Sequence, residues 1–403
     1  MIAYIGSSNQ PDIQVKRSLL AIALFIVAVS CDKKPAEKKI ALHSSALNLE
    51  ALADRIIAQS KPQKGEKVFM IGAPNEFDSL IIFLKDKFAA SGAVYLGTFN
   101  VDTTRWPDEW NTPLVVAGKG KSKDEFVPLL DTLDLGIMLP GASPSHAPYA
   151  AWQQVMRGGK GRAVHFHWSG ANDIAGKPIP MDDGIGRIYQ DVILNSDYVA
   201  IGAVQKQFEE SMRNNLVTVT APNTSLSFKI GDRPVTKQDG DASKERSLIA
   251  RNLIDREVEL PAGAIRVAPI EETVEGNLAI PDGKWGDKDV KGLVLTFKKG
   301  KISDMKATEG AEAVKAALEP YKDKYLLREL GVGFNPMLAI TPGNQRILHY
   351  GYGSGIVRLS LGNSAELGGA VDVDFVSIWF YPTATVTVGK EVWVKEGSLG
   401  IRN

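Results

Sequence analysis

Hydrophobic residues in the first half of the chain follow two different periods. Between residues 47 and 57 they recur three or four positions apart, which predicts a helix that buries Leu49, Leu52 and Ile56 on one face. Helical spacing also marks residues 79–85, 185–194 and 203–214, and short apolar runs of strand length lie at residues 67–72, 93–96, 114–117, 135–139 and 163–168. Continuous apolar strands between helices are typical of a parallel sheet covered on both faces, so residues 47–214 are predicted to form a Rossmann-like α/β domain.

Alternating polar and apolar residues dominate the second half. Residues 216–221 and 225–230 show this alternation, and a Gly-Asp-Arg-Pro turn follows them. Similar β patterns lie at residues 263–268, 293–297, 355–361, 371–380 and 384–388, and a helix is predicted over residues 312–325. Since alternation indicates sheets with one solvated face, residues 215–403 are predicted to form a mostly antiparallel, β-rich domain.

An export signal is indicated near the N-terminus. Lys16 and Arg17 precede an apolar run over residues 19–29, which is too short to span a membrane and is followed by Ser30 and Cys31. This order is typical of a bacterial lipoprotein signal, which is cleaved before the cysteine that receives the lipid. The alternative is a free thiol left in an export signal. Cys31 is the only cysteine, so a disulfide within the chain is impossible.

The lipoprotein interpretation fixes the organisation of the N-terminal region. We predict a signal region over residues 1–31, lipidation at Cys31, and a polar linker over residues 32–46 whose charged residues prevent burial. The protein is then exported and anchored to a membrane, on the periplasmic side or at the cell surface, by a lipid that does not span the bilayer.

Composition places the rest of the chain among soluble globular proteins. Of the 403 residues, 44% are hydrophobic and 23% are charged. The 47 lysines and arginines balance the 47 aspartates and glutamates, so the charge predicts neither nucleic-acid binding nor broad attraction to an anionic membrane. Any membrane association therefore depends on the lipid anchor.

Two histidines are a local candidate for metal chemistry. His165 and His167 lie two residues apart in a predicted strand and therefore share one face of it. They could bind a metal together, but a zinc site needs three or four converging ligands, and no carboxylate lies at close spacing. The pattern therefore favours packed or hydrogen-bonded imidazoles. The sequence also contains no Gly-x-Ser-x-Gly elbow and no His-Glu-x-x-His motif.

Several motifs of the second half occur in a recognisable order. They read VTVTAP at residues 217–222, LPAG at 260–263, ELGVGFNP at 329–336, GIVRLSLG at 355–362 and GGAVDVDF at 368–375. Together these motifs resemble the aminopeptidase T family of metallo-exopeptidases over residues 217–397. The resemblance implies an aminopeptidase T type C-terminal domain, peptide substrates and a homodimer. It also implies two divalent metal ions, zinc, cobalt or manganese, if the protein is active.

The resemblance also assigns metal-ligand positions, and several of them carry other residues. The family glutamate that follows a Pro-Gly turn falls at Ala264, and an acid that precedes the second motif falls near Gly351. The histidine of the second motif falls at Arg358, whose guanidinium stays protonated and cannot bind a metal. Glu329 matches its family glutamate.

The last motif leaves two interpretations open. Asp372 stands where the family has a histidine, and Asp374 is retained. With Glu329, these aspartates could form an oxygen-rich metal site. Alternatively, Arg358 could replace the metals as the cation that neutralises the same carboxylates, and this ion-pair interpretation is favoured because enclosed charges must be compensated.

His349 is the only histidine in the second half, and it precedes the second motif. It could take over the role of a lost ligand, but a lone histidine among Leu348, Tyr350 and Tyr352 favours a partly buried, satisfied residue.

Two functions remain open at this stage. The first is an exported lipoprotein that removes N-terminal residues from peptides with an altered metal site. The second is a non-catalytic relative, with or without metal, that binds a peptide, a small ligand or a partner protein. The replaced ligand positions favour the second function, and they leave the catalytic residues unknown.

Overall fold

We describe the protein from a computed structural model, in which residues 47–73, 77–102 and 108–400 are described. The predicted signal region, the linker and Cys31 lie outside these residues, so the lipid anchor stays a prediction. No helix within the described ranges is long and apolar enough to cross a membrane.

The helices and strands are numbered in chain order. The α-helices are α1 (Leu49–Ser60), α2 (Asp78–Ala90), α3 (Pro113–Gly118), α4 (Lys123–Leu130), α5 (Ala147–Arg157), α6 (Asp183–Asn195), α7 (Tyr198–Arg213), α8 (Lys244–Leu248) and α9 (Ala311–Leu318). The strands are β1 (Lys67–Gly72), β2 (Val94–Asn100), β3 (Leu135–Met138), β4 (Arg162–Phe166), β5 (Ala171–Asp173), β6 (Pro178–Ile179), β7 (Val217–Ala221), β8 (Thr224–Phe228), β9 (Val235–Gln238), β10 (Glu257–Leu260), β11 (Ala264–Val267), β12 (Glu275–Ile280), β13 (Gly283–Trp285), β14 (Lys288–Val290), β15 (Leu293–Lys298), β16 (Lys301–Lys306), β17 (Leu327–Gly333), β18 (Arg346–Leu348), β19 (Val357–Gly362), β20 (Val376–Tyr381), β21 (Thr385–Val388), β22 (Glu391–Lys395) and β23 (Ser398–Leu399).

A five-stranded parallel sheet organises the first half, as the sequence predicts. Its order is β10-β4-β3-β1-β2, and every pairing is parallel. Strands β3 and β4 are almost entirely buried, which fits a sheet covered on both faces. The edge strand β10 comes from the second half of the sequence and pairs with β4. The two halves of the chain therefore meet along this edge.

Local signals explain the first helix. The side chain of Asn48 accepts a hydrogen bond from the Ala51 backbone N–H and caps α1. Leu52, Ala53 and Ile56 are fully buried on one face of the helix. The predicted amphipathic helix is confirmed.

Antiparallel sheets dominate the second half, which confirms that prediction. One sheet has the order β20-β19-β17-β11-β9, and the largest has the order β16-β15-β12-β8-β7-β21-β22-β23. Burial alternates along β15, whereas β17 and β19 in the centre of the other sheet are buried throughout. Every residue of these two central strands is therefore buried, including the charged ones.

One predicted strand is wrong. Residues 114–117 belong to helix α3 because the side chain of Thr112 caps the Val115 backbone N–H and Pro113 occupies the first turn. These start signals outweigh the strand propensity of the two valines.

The predicted strand over residues 371–380 is correct only in its second part. Strand β20 begins at Val376, and Asp372 and Asp374 lie in the irregular segment before it. The two aspartates therefore do not project from a strand. In a similar way, the predicted helix over residues 312–325 ends at Leu318 as α9, and a 3₁₀ turn with Pro320 follows it.

Helix α7 packs the first half against the second. The Phe208 ring lies 5.5 Å from the Phe334 ring and 5.0 Å from the Trp393 ring, measured between centroids. Phe208 is fully buried. This contact and the β4-β10 pairing give the two halves a common core.

Candidate metal centre

Two neighbouring parallel strands bring histidine and glutamate together. In the register of β4 and β10, His165 lies directly opposite Glu259. His167 follows β4, and its backbone N–H donates to the Leu260 carbonyl, so the pairing continues one step further. Because strand side chains alternate, His165 and His167 project from the same face. The sheet therefore presents two imidazoles and one carboxylate to the same space.

These three side chains converge closely enough to hold a metal ion. Their ligand atoms all lie within 4.8 Å of one another, and no other group of three such residues in the described ranges does so. The His165 and His167 ring centroids are 4.6 Å apart. Ligand atoms around one zinc ion are separated by roughly 3 to 4 Å, so the arrangement is already near a coordination shell.

His349 reaches the same place from the second half. Strand β18 pairs with β5, with Leu348 opposite Ala171, and this pairing carries the next residue beside the end of β4. The His349 ring centroid lies 4.6 Å from that of His167, and its Nε2 lies 3.3 Å from a Glu259 carboxylate oxygen. We call His165, His167, Glu259 and His349 the histidine cluster.

His349 has the two marks of a functional residue. Its side chain is fully buried, yet neither ring nitrogen has a hydrogen bond of good geometry. The backbone is left-handed at both His349 and Tyr350, with φ of 45° and 53°. A non-glycine residue adopts this conformation at an energetic cost of about 1 to 3 kcal/mol, and such strain concentrates at functional sites. The nearest carboxylate oxygen, from Glu259, lies 3.3 Å from Nε2, and a bound cation would give the imidazole a better-aligned partner.

Glu257 fixes the orientation of the His165 ring through its Nδ1 atom. The Tyr149 hydroxyl donates to Glu257 and lies 3.1 Å from His165 Nδ1, and a Glu257 oxygen lies 3.4 Å from the same nitrogen. Gln153 Nε2 donates to the other Glu257 oxygen at 3.1 Å. A metal-binding histidine almost always gives its second ring nitrogen to a carboxylate or carbonyl. This arrangement engages Nδ1 and leaves Nε2 of His165 as the ligand atom.

The protonation states match those of metal ligands. Burial lowers the pKa of His167 well below its ordinary value, and the neighbouring His349 and His165 rings add to the effect. Burial also lowers the pKa of His349. It opposes ionisation of Glu259, but His349, His167 and Arg266 outweigh it and hold the pKa of that carboxyl well below its usual range. Neutral imidazoles beside an ionised carboxylate are the forms that bind metals.

Glu329 lies in a different environment from the one a metal ligand needs. Its side chain is fully buried between three guanidiniums. Arg266 donates from Nε at 3.0 Å and from Nη2 at 3.1 Å, Arg358 donates from Nε at 3.0 Å and from Nη2, and Arg328 donates from Nη1. Burial opposes its ionisation, yet the three cations hold the pKa of Glu329 well below its ordinary value. We call these four residues the arginine cluster.

The strands build the arginine cluster around one glycine. In the register of β11, β17 and β19, Arg266 and Arg358 both lie opposite Gly331. A Cβ at Gly331 would meet Arg358 Nε at 3.1 Å and a Glu329 oxygen at 3.3 Å. The absence of a side chain at this position therefore gives the guanidiniums their space.

The other positions implied by the family resemblance do not join Glu329. Asp372 and Asp374 are exposed; Asp374 accepts a hydrogen bond from the Tyr321 hydroxyl, and Asp372 accepts one from Asn363 Nδ2 at 3.2 Å. Ala264 is buried and carries no donor atom. The structure brings Arg358 to Glu329 but leaves both aspartates elsewhere. The residues present at these positions do not fit two metal ions.

Sequence reasoning missed Glu259 and Arg266. Glu259 is missed because it lies far from His165 in sequence, and only the β4-β10 pairing brings the two residues together. Alternation in the segment Glu257-Val258-Glu259 was the available signal, since it places two acids on one strand face. Arg266 lies two residues after Ala264 and projects from the same side of β11.

Comparisons with known proteins give the fold. No family model matches the chain, and no curated protein matches it. The solved structure of wild-type AmpT, an aminopeptidase T from Thermus thermophilus, is 16% identical, with a TM-score of 0.56 over 88% of this chain and 99% of that chain. A 2,5-dihydroxypyridine dioxygenase from Pseudomonas putida KT2440 is 14% identical, with a TM-score of 0.54 over 88% and 97%. The chain therefore has an aminopeptidase T-like fold, one that a dioxygenase shares.

Proposed function

We propose that this protein is an exported, lipid-anchored hydrolase that works with one metal ion held by His165, His167 and Glu259. It uses the aminopeptidase T-like fold without the two-metal site of that family. The observation that carries the proposal is the convergence of these three ligand atoms within 4.8 Å beside the unsatisfied ring of His349.

The donor set supports metal-dependent hydrolysis. Two histidines and one glutamate are a set found in catalytic zinc sites, where the remaining positions are open to water and substrate. A metal bound there would lower the pKa of a bound water and polarise a substrate carbonyl. The protein would supply the orientation: Glu257 fixes the His165 ring, and the Tyr352 hydroxyl donates to Glu259.

Substrate would approach from the side of Tyr350. The side chains of His165 and Glu259 are 15% and 11% exposed, whereas Tyr350 is 39% exposed and its ring lies 5.0 Å from that of His167. Arg358 donates to the Tyr350 carbonyl at 3.0 Å, so the arginine cluster holds the backbone of Tyr350 in place. The arginine cluster thus supports the histidine cluster as a rigid element.

The arginine cluster argues against two-metal aminopeptidase activity in this chain. Both oxygens of Glu329 are occupied by guanidiniums, and the exposed Asp372 and Asp374 lie outside the cluster. A metal ion would have to displace buried cations that already neutralise the carboxylate.

Metal content tests the proposal. The full chain is purified in detergent, loaded with zinc, cobalt or manganese in air, or with ferrous iron under anaerobic conditions, and analysed by elemental analysis. We expect one ion per chain, and loss of that ion in His165→Ala and in His167→Ala. His146 is a matched control, because it lies before α5 and accepts from the Ser143 backbone N–H, so His146→Ala should keep the metal. A wild-type protein without metal would contradict the proposal.

Iron is an informative arm of the same experiment. Two histidines and one carboxylate also form the facial triad of non-haem iron oxygenases, and one structural neighbour is a dioxygenase. Preferential retention of ferrous iron with oxygen consumption would replace hydrolysis by oxygenase chemistry at the same three residues. Chelator-sensitive ester or amide hydrolysis with zinc or cobalt would support the hydrolase.

A second candidate is a non-catalytic lipoprotein that binds a peptide, a small ligand or a partner protein. It is supported by the replaced ligand positions at Ala264, Gly351, Arg358 and Asp372. One bound metal without turnover of any ester, amide or aminoacyl substrate would favour this candidate over the hydrolase.

A further inference from the structure

A cavity of about 600 Å³ lies apart from the histidine cluster and has no role in the proposed function. It is open to solvent on one side and is lined mainly by the end of α5, the segment that precedes β10 and the loop between β19 and β20. Its volume is within the usual range for small-molecule sites, roughly 300 to 1,000 Å³.

Four arginines line this cavity, against a single acid, Glu366. Two of them are already paired. Arg328 donates to Glu329 and Glu366, and the exposed Arg251 bonds to Asp232 at 3.1 Å. Glu366 also accepts a hydrogen bond from Arg266 at 3.1 Å, so its negative charge is already balanced by two arginines.

The other two arginines have no acid partner. Among the described residues, no carboxylate oxygen lies within 4.0 Å of Arg157 or Arg256. Arg157 is exposed at the end of α5, and Arg256 is half-buried and donates to the Gly161 carbonyl at 3.1 Å. Burial lowers the pKa of Arg256, although the charge of the neighbouring Asp255 opposes this effect. Two arginines without an ion-pair partner among the described residues therefore line one cavity.

We propose that this cavity binds a small organic dianion, a phosphate monoester or a dicarboxylate, through Arg157 and Arg256. A guanidinium presents paired N–H groups that match carboxylate and phosphate oxygens. Two negative charges balance the two arginines that have no acid partner, and Arg328, which is 3% exposed, is held in place beside them by its own ion pairs. Such a fixed cation needs little reorganisation when a ligand binds.

Titration calorimetry tests the site with defined probes. Glycerol phosphate and succinate are compared with acetate as a monoanion of the same chemistry, using the full chain in detergent. We expect at least one of the two dianions to bind about ten-fold or more tightly than acetate, with an affinity that falls as salt is added. Which dianion binds better separates a phosphate ester from a dicarboxylate. No binding of either dianion, or equal binding of acetate, would overturn the proposal.

Variants assign the binding to the two arginines. Arg157→Gln and Arg256→Gln should each weaken dianion binding about ten-fold or more, because each removes a charge-assisted hydrogen bond. Arg187→Gln is the matched control, since Arg187 is exposed on α6 and does not line the cavity. Arg157 is exposed, so its variant should fold normally, and thermal melting checks this. An equal loss in Arg187→Gln, or no loss in Arg157→Gln, would contradict the assignment. Metal content should be unchanged in all three variants, which separates this result from the fate of the histidine cluster.

Discussion

Glu259 contacts residues of both halves of the chain. It lies opposite His165, accepts from the Tyr352 hydroxyl and is 3.3 Å from His349 Nε2. Arg266 lies close enough to lower its pKa. A single carboxylate thus connects the histidine cluster with the arginine cluster, and the charge of each affects the other.

At the residue scale, His349 should matter for metal and little for the metal-free fold. Replacing it by Phe retains a buried ring of similar size and removes two nitrogens that lack hydrogen bonds. We expect metal affinity to fall about 10- to 100-fold, while the free energy of unfolding of the metal-free protein changes by less than about 1.5 kcal/mol. Zinc titration and urea unfolding measure the two effects. Unchanged metal affinity would remove His349 from the site.

Glu257 tests whether His165 is held for metal binding. Glu257→Gln keeps the size of the side chain but removes the charge that faces His165 Nδ1. Since outer carboxylates fix the orientation and basicity of a ligating histidine, metal affinity should fall about 10- to 100-fold. Glu210→Gln, at an exposed glutamate of α7, is the control and should bind metal as the wild type does.

Glu329 is predicted to be structural, and its effect should depend on pH. Removing its charge leaves three buried guanidiniums short of a partner, so Glu329→Gln should lose about 3 to 5 kcal/mol of unfolding free energy at pH 7. Because the pKa of Glu329 is lowered on folding, its contribution is complete above the unfolded pKa of about 4.3 and is lost as the pH falls through the folded value.

The advantage of the wild type over Glu329→Gln should therefore shrink only below about pH 4. Urea unfolding at a series of pH values measures it. A constant difference down to pH 2, or a variant as stable as the wild type at pH 7, would show that the arginine cluster does not depend on this carboxylate charge.

At the scale of elements, the three paired strands β11, β17 and β19 together position the arginine cluster. Their register places two arginines opposite Gly331, and Glu329 lies two residues earlier on the same face of β17. The cluster is thus specified by strand pairing rather than by any one motif.

Gly331→Ala tests this packing. The added Cβ would come within 3.1 Å of Arg358 and 3.3 Å of Glu329, so the guanidinium must move. We expect a loss of about 1 to 3 kcal/mol in unfolding free energy. Gly343→Ala is a matched control because nothing lies within 4 Å of the added atom. It should change stability by less than about 0.5 kcal/mol. Equal behaviour of the two variants would mean that the cluster tolerates rearrangement.

Elements with strong local periodicity were predictable from the sequence. The face of α1, the buried strand β1 and the alternation of β7 and β8 all follow from residues close together in the chain. The wrong strand prediction at residues 114–117 has a local cause too, since the Thr112 cap and Pro113 outweigh the strand propensity of the valines. The irregular path of residues 371–375 had no comparable signal.

At the scale of the whole molecule, the candidate site was only partly predictable. The family resemblance led to Glu329 and Arg358, which do lie together, but the aspartates that the same motifs supplied are at the surface. The histidine cluster could not be assembled from the sequence because it needs two separate events. Strand β10 must cross to the edge of the first sheet, and β18 must pair with β5.

The charged side chains of the two clusters lie at separate places in the same fold. The guanidiniums occupy the space around Glu329, while the imidazoles collect at the carboxyl end of β4, where parallel sheets usually place their ligands. Both clusters are compatible with the aminopeptidase T-like fold.

The most direct measurement is anomalous X-ray scattering from crystals of the full chain loaded with cobalt. The proposed metal site predicts one anomalous peak per chain, between His165, His167 and Glu259, with His349 turned towards it. A peak at Glu329 or beside Asp372 and Asp374, or two peaks a few ångströms apart, would contradict it. So would a fully loaded crystal with no ordered metal at the histidine cluster.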